Sequence, residues 1–338
     1  MSRVLRIGVI GCGHWGKNYV RTFSDRPGSR VVRAADLVRS NLDFLAARDT
    51  ALVVTEDYRQ LLSDPDVDAV VVATPAATHF PIAKDSIEAG KHLIVEKPLA
   101  LDVGECEDLT ELADKRGVVL MVGHTFLFND SVHKVRELVQ AEASGEVYYL
   151  TARRNHLGKI REDVSVLWDL PAHDISIFSF LLGQEPRTVS AVGGCYLRQG
   201  REDVTFLTLR YAGGAVGHVQ TSWIDASKIR ELVVITGHRR IEFDDLDPLE
   251  SVRVFEKGIT AERDVESFGE FNYRLRDGDI LSPRIERREP LRNLCQHFLD
   301  CVADGERPLA DGANGTNVVR VLKAAEASLA QRGIEITV

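Results

Sequence analysis

The amino-acid sequence predicts an α/β protein, with a doubly wound parallel sheet over residues 1–123 and an α+β domain on a large, mostly antiparallel open sheet over residues 124–338. Three observations predict it. Up to about residue 122, short β-branched runs alternate with longer segments of helical period. Gly11-Cys12-Gly13-His14-Trp15-Gly16 closes the first run and opens a helix. After Gly123 the pattern changes to successive strands joined by turns.

The early strands fall at 4–10, 30–35, 51–54, 69–73, 92–95 and 118–122. Val70-Val71-Val72 is apolar on both faces, as expected where helices cover both sides of a parallel sheet. The helices between have legible ends: Ser40 caps a segment to about Arg48, residues 86–89 stop at Gly90, and 102–116 stop at Gly117. In the second domain a helix over 131–143 leads into strands near 147–154, 188–196, 204–211, 215–223, 232–236 and 240–243. Ala212-Gly213-Gly214 forms a hairpin turn between two of them. One helix, 172–182, interrupts these strands and ends at Gly183. Amphipathic helices over 291–302 and 316–331 close the chain and are candidates to pack back on the first domain. Phe206, Leu207 and Leu209 place apolar residues at both parities of one strand, so both faces of that sheet need cover. A second copy of the chain is expected on one of them, giving a dimer or tetramer.

Composition excludes several classes. With 338 residues, 44% of them hydrophobic, the chain can bury two sizeable cores. A charged fraction of 28%, 11 prolines and no low-complexity tract exclude disorder as the main state. No apolar run reaches the roughly 18 residues of a membrane-spanning helix, and no secretion-signal pattern opens the sequence, so a cytoplasmic protein with no membrane partner is expected. The net charge of −9 argues against nucleic acid as a partner. The five cysteines include no C-x-x-C and no zinc-ligand spacing. They read as reduced, mostly buried thiols, and no metal site is expected.

The residues that carry chemistry lie at strand ends. In the G-x-G-x-x-G, Gly11 permits the tight turn, Gly13 lets a pyrophosphate approach the backbone, and Gly16 allows close helix–strand packing. Free N–H groups at the helix start, beside His14 and Trp15, meet the phosphate charge. Asp36 ends the second strand twenty residues beyond Gly16, where a carboxylate binds the adenosine ribose hydroxyls. Its charge repels a 2′-phosphate and favours NAD, with NADP as the alternative because Arg39 lies three residues on. Ala73-Thr74-Pro75 with His79, and Glu96-Lys97-Pro98, end the fourth and fifth strands, where open parallel sheets bind ligands. An ammonium at Lys97 can hydrogen-bond a substrate hydroxyl and favour its alkoxide. A solvated lysine at a loop mouth is the competing reading. In the second domain Asp169 and His173 are four apart around Pro171, so a carboxylate can steer an imidazole that accepts a proton. A satisfied structural histidine is the alternative.

Taken together, the glycine motif, Ala73-Thr74-Pro75 with His79, Glu96-Lys97-Pro98 and Asp169-x-x-x-His173 resemble the Gfo/Idh/MocA oxidoreductases. The resemblance covers nearly the whole chain. It implies a Rossmann domain followed by a substrate domain whose open sheet face commonly forms oligomer contacts. It also implies Lys97 and His173 as a catalytic pair, with Asp169 near the substrate hydroxyls. The sequence departs from many members at Ala76-Ala77 and at Gly123-His124-Thr125-Phe126-Leu127-Phe128-Asn129, on the substrate side. Arg153-Arg154-Asn155-His156-Leu157-Gly158-Lys159-Ile160-Arg161 is similar to the branch acting on nucleotide-linked amino sugars, such as UDP-N-acetylhexosamine 3-dehydrogenases. Arg154, Asn155 and Arg161 then become candidate substrate-binding residues, a local cationic segment for a second diphosphate. A solvated basic loop is the competing reading. The activity implied is NAD-dependent oxidation of a ring secondary hydroxyl of a nucleotide sugar. The alternatives are a free polyol or aldose substrate, or a sensor without turnover.

Overall fold

The computed structural model describes residues 4–158, 160–262 and 272–338, so Lys159 of the basic segment lies outside the described residues. The chain divides into two compact units, Met1–Phe128 with Arg288–Lys323, and Asn129–Arg287 with Ala324–Val338. The first unit therefore extends past the boundary expected at residue 123 and takes in a late helical segment.

The first unit contains β1 (Leu5–Ile10), α1 (His14–Ser24), β2 (Ser29–Ala35), α2 (Arg39–Ala46), β3 (Val53–Thr55), α3 (Tyr58–Leu62), β4 (Ala69–Val72), α4 (His79–Glu88), β5 (His92–Val95), α5 (Val103–Arg116) and β6 (Leu120–Val122). The strands form one sheet in the order β3-β2-β1-β4-β5-β6, every pair parallel. This is the doubly wound dinucleotide-binding topology, with its ligand crevice at the carboxyl ends of the strands. Ala69, Val70, Val71 and Val72 are fully buried, because helices lie on both faces.

Local chemistry explains where the helices start. α5 has Asp102 accepting from Gly104 N at 2.8 Å and Gly117 ending it at φ 65°, as the sequence predicts. α2 begins at Arg39, with Ser40 inside its first turn rather than capping it. The Asp36 carboxylate organises this entry instead, accepting from Val38 N at 2.7 Å. α4 runs for ten residues where only 86–89 were expected, since Pro81 sits in the first turn, where a missing N–H costs nothing.

The second unit contains α6 (Asp130–Gln140), β7 (Val147–Leu157), α7 (Val166–Asp169), α8 (Pro171–Leu182), β8 (Pro186–Gly194), β9 (Val204–Tyr211), β10 (Val216–Ser222), β11 (Ile224–Thr236), β12 (Arg240–Asp244), β13 (Val252–Phe255), the hairpin β14 (Gly258–Glu262) and β15 (Asn272–Arg276), and β16 (Ile280–Leu281). Late in the chain, α9 (Pro290–Asp304) belongs to the first unit, α10 (Gly312–Ala330) contributes residues to both, and β17 (Ile336–Thr337) joins the second. Nine strands form its main sheet, ordered β16-β13-β12-β11-β7-β10-β9-β8-β17. It is antiparallel except for β7 beside β10.

One face of this sheet is covered by α6, α7 and α8. Leu150, Ala152, Leu207, Leu209, Val219, Leu232 and Val234 supply its core, each at most 2% exposed. Leu207 and Leu209 thus share the covered face, and Phe206, 37% exposed, stands on the other among Thr208, Arg210 and His218. β11 starts eight residues before the predicted strand, because its first half, Asp225-Ala226-Ser227-Lys228, is polar and bulged against β7 and carries no apolar alternation. Strands β13 to β17 escaped the sequence reading for a similar reason: they are short or polar.

Candidate active site

In the first unit β1 delivers the glycine loop to the crevice. Gly11 has φ +87°, and a Cβ there would meet the Ala73 carbonyl oxygen at 2.6 Å. A Cβ on Gly16 would lie 1.9 Å from the Gly11 carbonyl oxygen, whereas one on Gly13 would meet nothing within 4 Å. The loop is closed tightly at Gly11 and Gly16 and open at Gly13, the arrangement that a pyrophosphate approaching the start of α1 needs. α1 has no acidic residue in its first turn to compete for that anion. His14 and Trp15 are exposed at the helix start, ring against ring at 5.8 Å.

Asp36 braces this loop. Its Oδ2 accepts from Cys12 N at 2.6 Å and from Asn41 Nδ2 at 3.2 Å. Burial, with Asp36 nearby, pushes the Cys12 thiol up to about 12, so it is packing and not a nucleophile. The nearby guanidinium of Arg39 is engaged by Asp43 at 2.9 Å and Glu56 at 3.8 Å. A carboxylate edge whose neighbouring cation is already paired with acids suits a ribose diol better than a 2′-phosphate.

The loops after β4 and β5 are tied together by His79. Its ring nitrogens lie 2.9 Å from the Thr74 carbonyl and 2.7 Å from the Pro98 carbonyl. Thr74 is further held by Thr78 Oγ1 at 2.8 Å, and Pro75 is exposed. Glu96 is buried, and its Oε1 accepts from the phenol of Tyr19 at 2.8 Å. Lys97 is 8% exposed, so the solvated-lysine reading does not describe it. Gly123 crosses close to this turn: a Cβ there would meet Glu96 Oε1 at 2.9 Å. The next residue, His124, is 1% exposed, and burial with Lys97 nearby holds its imidazole at about 3, hence neutral.

In the second unit Asp169 ends α7 and His173 lies in the first turn of α8, after Pro171. Asp169 receives Arg161 Nη1 on Oδ1 at 3.3 Å and the Trp223 indole N–H on Oδ2 at 3.3 Å. Trp223, fully buried with Val166 and Leu170, fixes α7 and with it that carboxylate. Arg154, expected among the substrate-side cations, lies in the interior at 5% exposure, with Nε and Nη2 bonded to Asp174 at 2.8 Å each. Its alternating position on β7 turns it into the helix-covered face, where a buried cation requires a carboxylate. Arg161 is held by Asp163 as well as Asp169. Asn155 is 1% exposed; its Nδ2 donates to Asp225 at 2.9 Å, and its buried Oδ1 has no partner among the described residues. The basic segment is therefore largely neutralised by its own acids.

Sequence reasoning missed Trp223, Asp174, Asp225, Tyr19 and His124. Trp223, Asp174 and Asp225 meet their partners only through tertiary packing, across 54, 20 and 70 residues. His124 carried a usable signal, since it lies just past β6, after Gly123, at the ligand end of the sheet.

A glycine loop braced by an acid at the end of β2, with an open cradle at the start of α1, defines the first unit as an NAD-binding Rossmann domain. Family comparison is specific on this point. Residues 5–124 match the model described as "Oxidoreductase family, NAD-binding Rossmann fold", and residues 132–241 match the GFO/IDH/MocA C-terminal domain. A solved candidate oxidoreductase from Magnetospirillum magnetotacticum is 30% identical with TM-score 0.80, over 95% of this chain and 99% of that one. The chain belongs to the Gfo/Idh/MocA oxidoreductase family. It is also similar to the UDP-N-acetylglucosamine 3-dehydrogenase of Acidithiobacillus ferrooxidans, at 27% identity over 93% of this chain and 94% of that protein. GenD2 from gentamicin A biosynthesis, solved in complex with NAD, is 26% identical with TM-score 0.84, over 100% of this chain and 97% of that one. No helix among the described residues is long and apolar enough to cross a membrane.

Proposed function

We propose that this protein is an NAD-dependent dehydrogenase that oxidises a ring secondary hydroxyl, the C3 hydroxyl, of a nucleotide-activated sugar such as a UDP-N-acetyl amino sugar. The observation that carries the reading is the buried Lys97 at the ligand end of β5, held beside a Glu96 that Tyr19 locks in place. The likeness to a UDP-N-acetylglucosamine 3-dehydrogenase along nearly the full chain supports the substrate class.

In this reading the N–H groups at the start of α1 hold the pyrophosphate and Asp36 holds the adenosine ribose, with Thr74, Pro75 and His79 shaping the next loop. Bound NAD supplies the acceptor for the hydrogen that leaves the substrate carbon with its electron pair. Lys97 donates a hydrogen bond to the substrate hydroxyl and lowers the cost of its alkoxide, and His173 takes the hydroxyl proton. Asp169, itself fixed by Arg161 and Trp223, orients the substrate or the imidazole. Asn155, whose buried Oδ1 has no partner among the described residues, and Arg161, beside Asp169, are the remaining candidates to bind the sugar. Arg154 serves indirectly, by holding Asp174 and so the start of α8.

A panel of UDP-sugars, the matching free sugars and inositols, followed by NAD reduction at 340 nm, tests the substrate class. Turnover of UDP-N-acetyl sugars at least tenfold above the free compounds is expected. A preference for a free polyol overturns the nucleotide requirement, and no reduction with any sugar favours a sensor.

The open face of the second unit's sheet exposes Tyr149, Val192 and Phe206 among charged residues. A second copy of the chain is proposed to cover it in a dimer or tetramer. Sedimentation at micromolar concentration is expected to give at least twice the chain mass, and a monomeric mass rejects the assembly.

A further inference from the structure

Among the described residues, His124 is the polar side chain at the ligand end of the parallel sheet that the reaction scheme leaves without a task. Its surroundings are set by backbone. Gly123 N donates to the Val95 carbonyl at 2.7 Å, which carries the end of β6 level with the end of β5. Gly123 packs so closely on Glu96 that no side chain fits there, so the chain's first side chain past β6 is His124, beside the Glu96-Lys97 turn. The residue is 1% exposed, and neither Nδ1 nor Nε2 has a hydrogen-bond partner among the described residues. Its neighbour Lys97 offers only a cation, which disfavours a second positive charge on the imidazole.

Leaving such a group unpaired in the interior is costly, and in native proteins it calls for an explanation. A neutral imidazole has one N–H donor and one acceptor nitrogen. Its complement is an uncharged group that accepts and donates at once. The sheet order supplies the candidate. Asp36 and the glycine loop, at the ends of β2 and β1, take the adenosine ribose and the pyrophosphate. The far half of the cofactor extends toward β4, β5 and β6. Two strand spacings, roughly 10 Å, separate β4 from β6, within the reach of a ribosyl-nicotinamide. That half ends in a neutral primary amide.

We propose that His124 is a further NAD-binding residue, whose imidazole hydrogen-bonds the carboxamide of the nicotinamide and thereby sets the ring against Lys97. This rests on the NAD-binding reading of the first unit and is independent of which sugar is oxidised.

The test compares NAD with ADP-ribose, which shares the adenosine, pyrophosphate and both riboses but lacks the nicotinamide, by calorimetric titration of the full chain without sugar. His124→Leu is expected to weaken NAD binding about tenfold or more while leaving ADP-ribose affinity within twofold. His124→Gln, which keeps a donor and an acceptor, is expected to recover most of the NAD affinity. In wild-type protein the His124 ring nitrogen resonances should shift with NAD and not with ADP-ribose. Equal losses for both ligands, no loss for either, or ring shifts that ADP-ribose reproduces would overturn the assignment. Because no turnover is measured, this result is separate from the fate of the sugar-dehydrogenase reading.

Discussion

Lys97→Met is expected to lower kcat by about two to four orders of magnitude while NAD still binds with near wild-type affinity, as befits a group that acts on the reacting hydroxyl. The expected size reflects how firmly the lysine is placed. Its side chain is 8% exposed at the end of β5, and the preceding Glu96 is pinned by the Tyr19 phenol at 2.8 Å. Glu96 Oε2 in turn accepts from Lys97 N at 3.3 Å. No solvent-borne cation can substitute in such a setting. Methionine nearly matches the stem of the lysine, so packing survives and the charge alone is removed. Initial rates at 340 nm together with calorimetric NAD titration check this. A kcat within tenfold of wild type removes Lys97 from the mechanism.

The second large effect concerns stability. Asp174→Ala is expected to destabilise the second unit by about 3–5 kcal/mol, because it leaves the Arg154 guanidinium buried without its carboxylate. Both side chains are interior, 6% and 2% exposed, and the pair is closed by two bonds of 2.8 Å. Removing both charges should cost far less, since a buried ion pair is repaid poorly for its desolvation. Arg154→Met with Asp174→Leu is therefore expected to recover most of the lost stability. Two of the three tryptophans, Trp168 and Trp223, lie in the second unit, so urea unfolding followed by tryptophan fluorescence reports mainly on it. If the single and double variants lose equal stability, the pair is not the reason for the loss.

Much of the first unit was legible in the sequence because its signals are local. The glycine motif, the apolar β4 and the ends of α5 each sit within a few residues of the feature they create. Asp36 reads in the sequence as a candidate for the adenosine ribose, but its bond to Cys12 N, which makes it a brace of the glycine turn, depends on β1 and β2 lying side by side. The second unit was less transparent. Arg154 read as a free cation because its parity on β7 has meaning only once α8 covers that face and Asp174 comes within reach. The Phe206-Leu207-Leu209 run read as apolar on both sides, yet a period of two separates Phe206 from the two leucines. Trp223 holds Asp169 across 54 residues, a separation that no local pattern encodes.

The central claim is that a nucleotide sugar gives up the hydrogen on C3 to NAD. UDP-N-acetylglucosamine deuterated at C3, incubated with the protein and NAD, tests it directly by mass spectrometry of the dinucleotide. The reduced nicotinamide should carry one deuterium, and the sugar should lose it. Reduced nicotinamide without the label, from a sugar that keeps its C3 deuterium, would contradict the account.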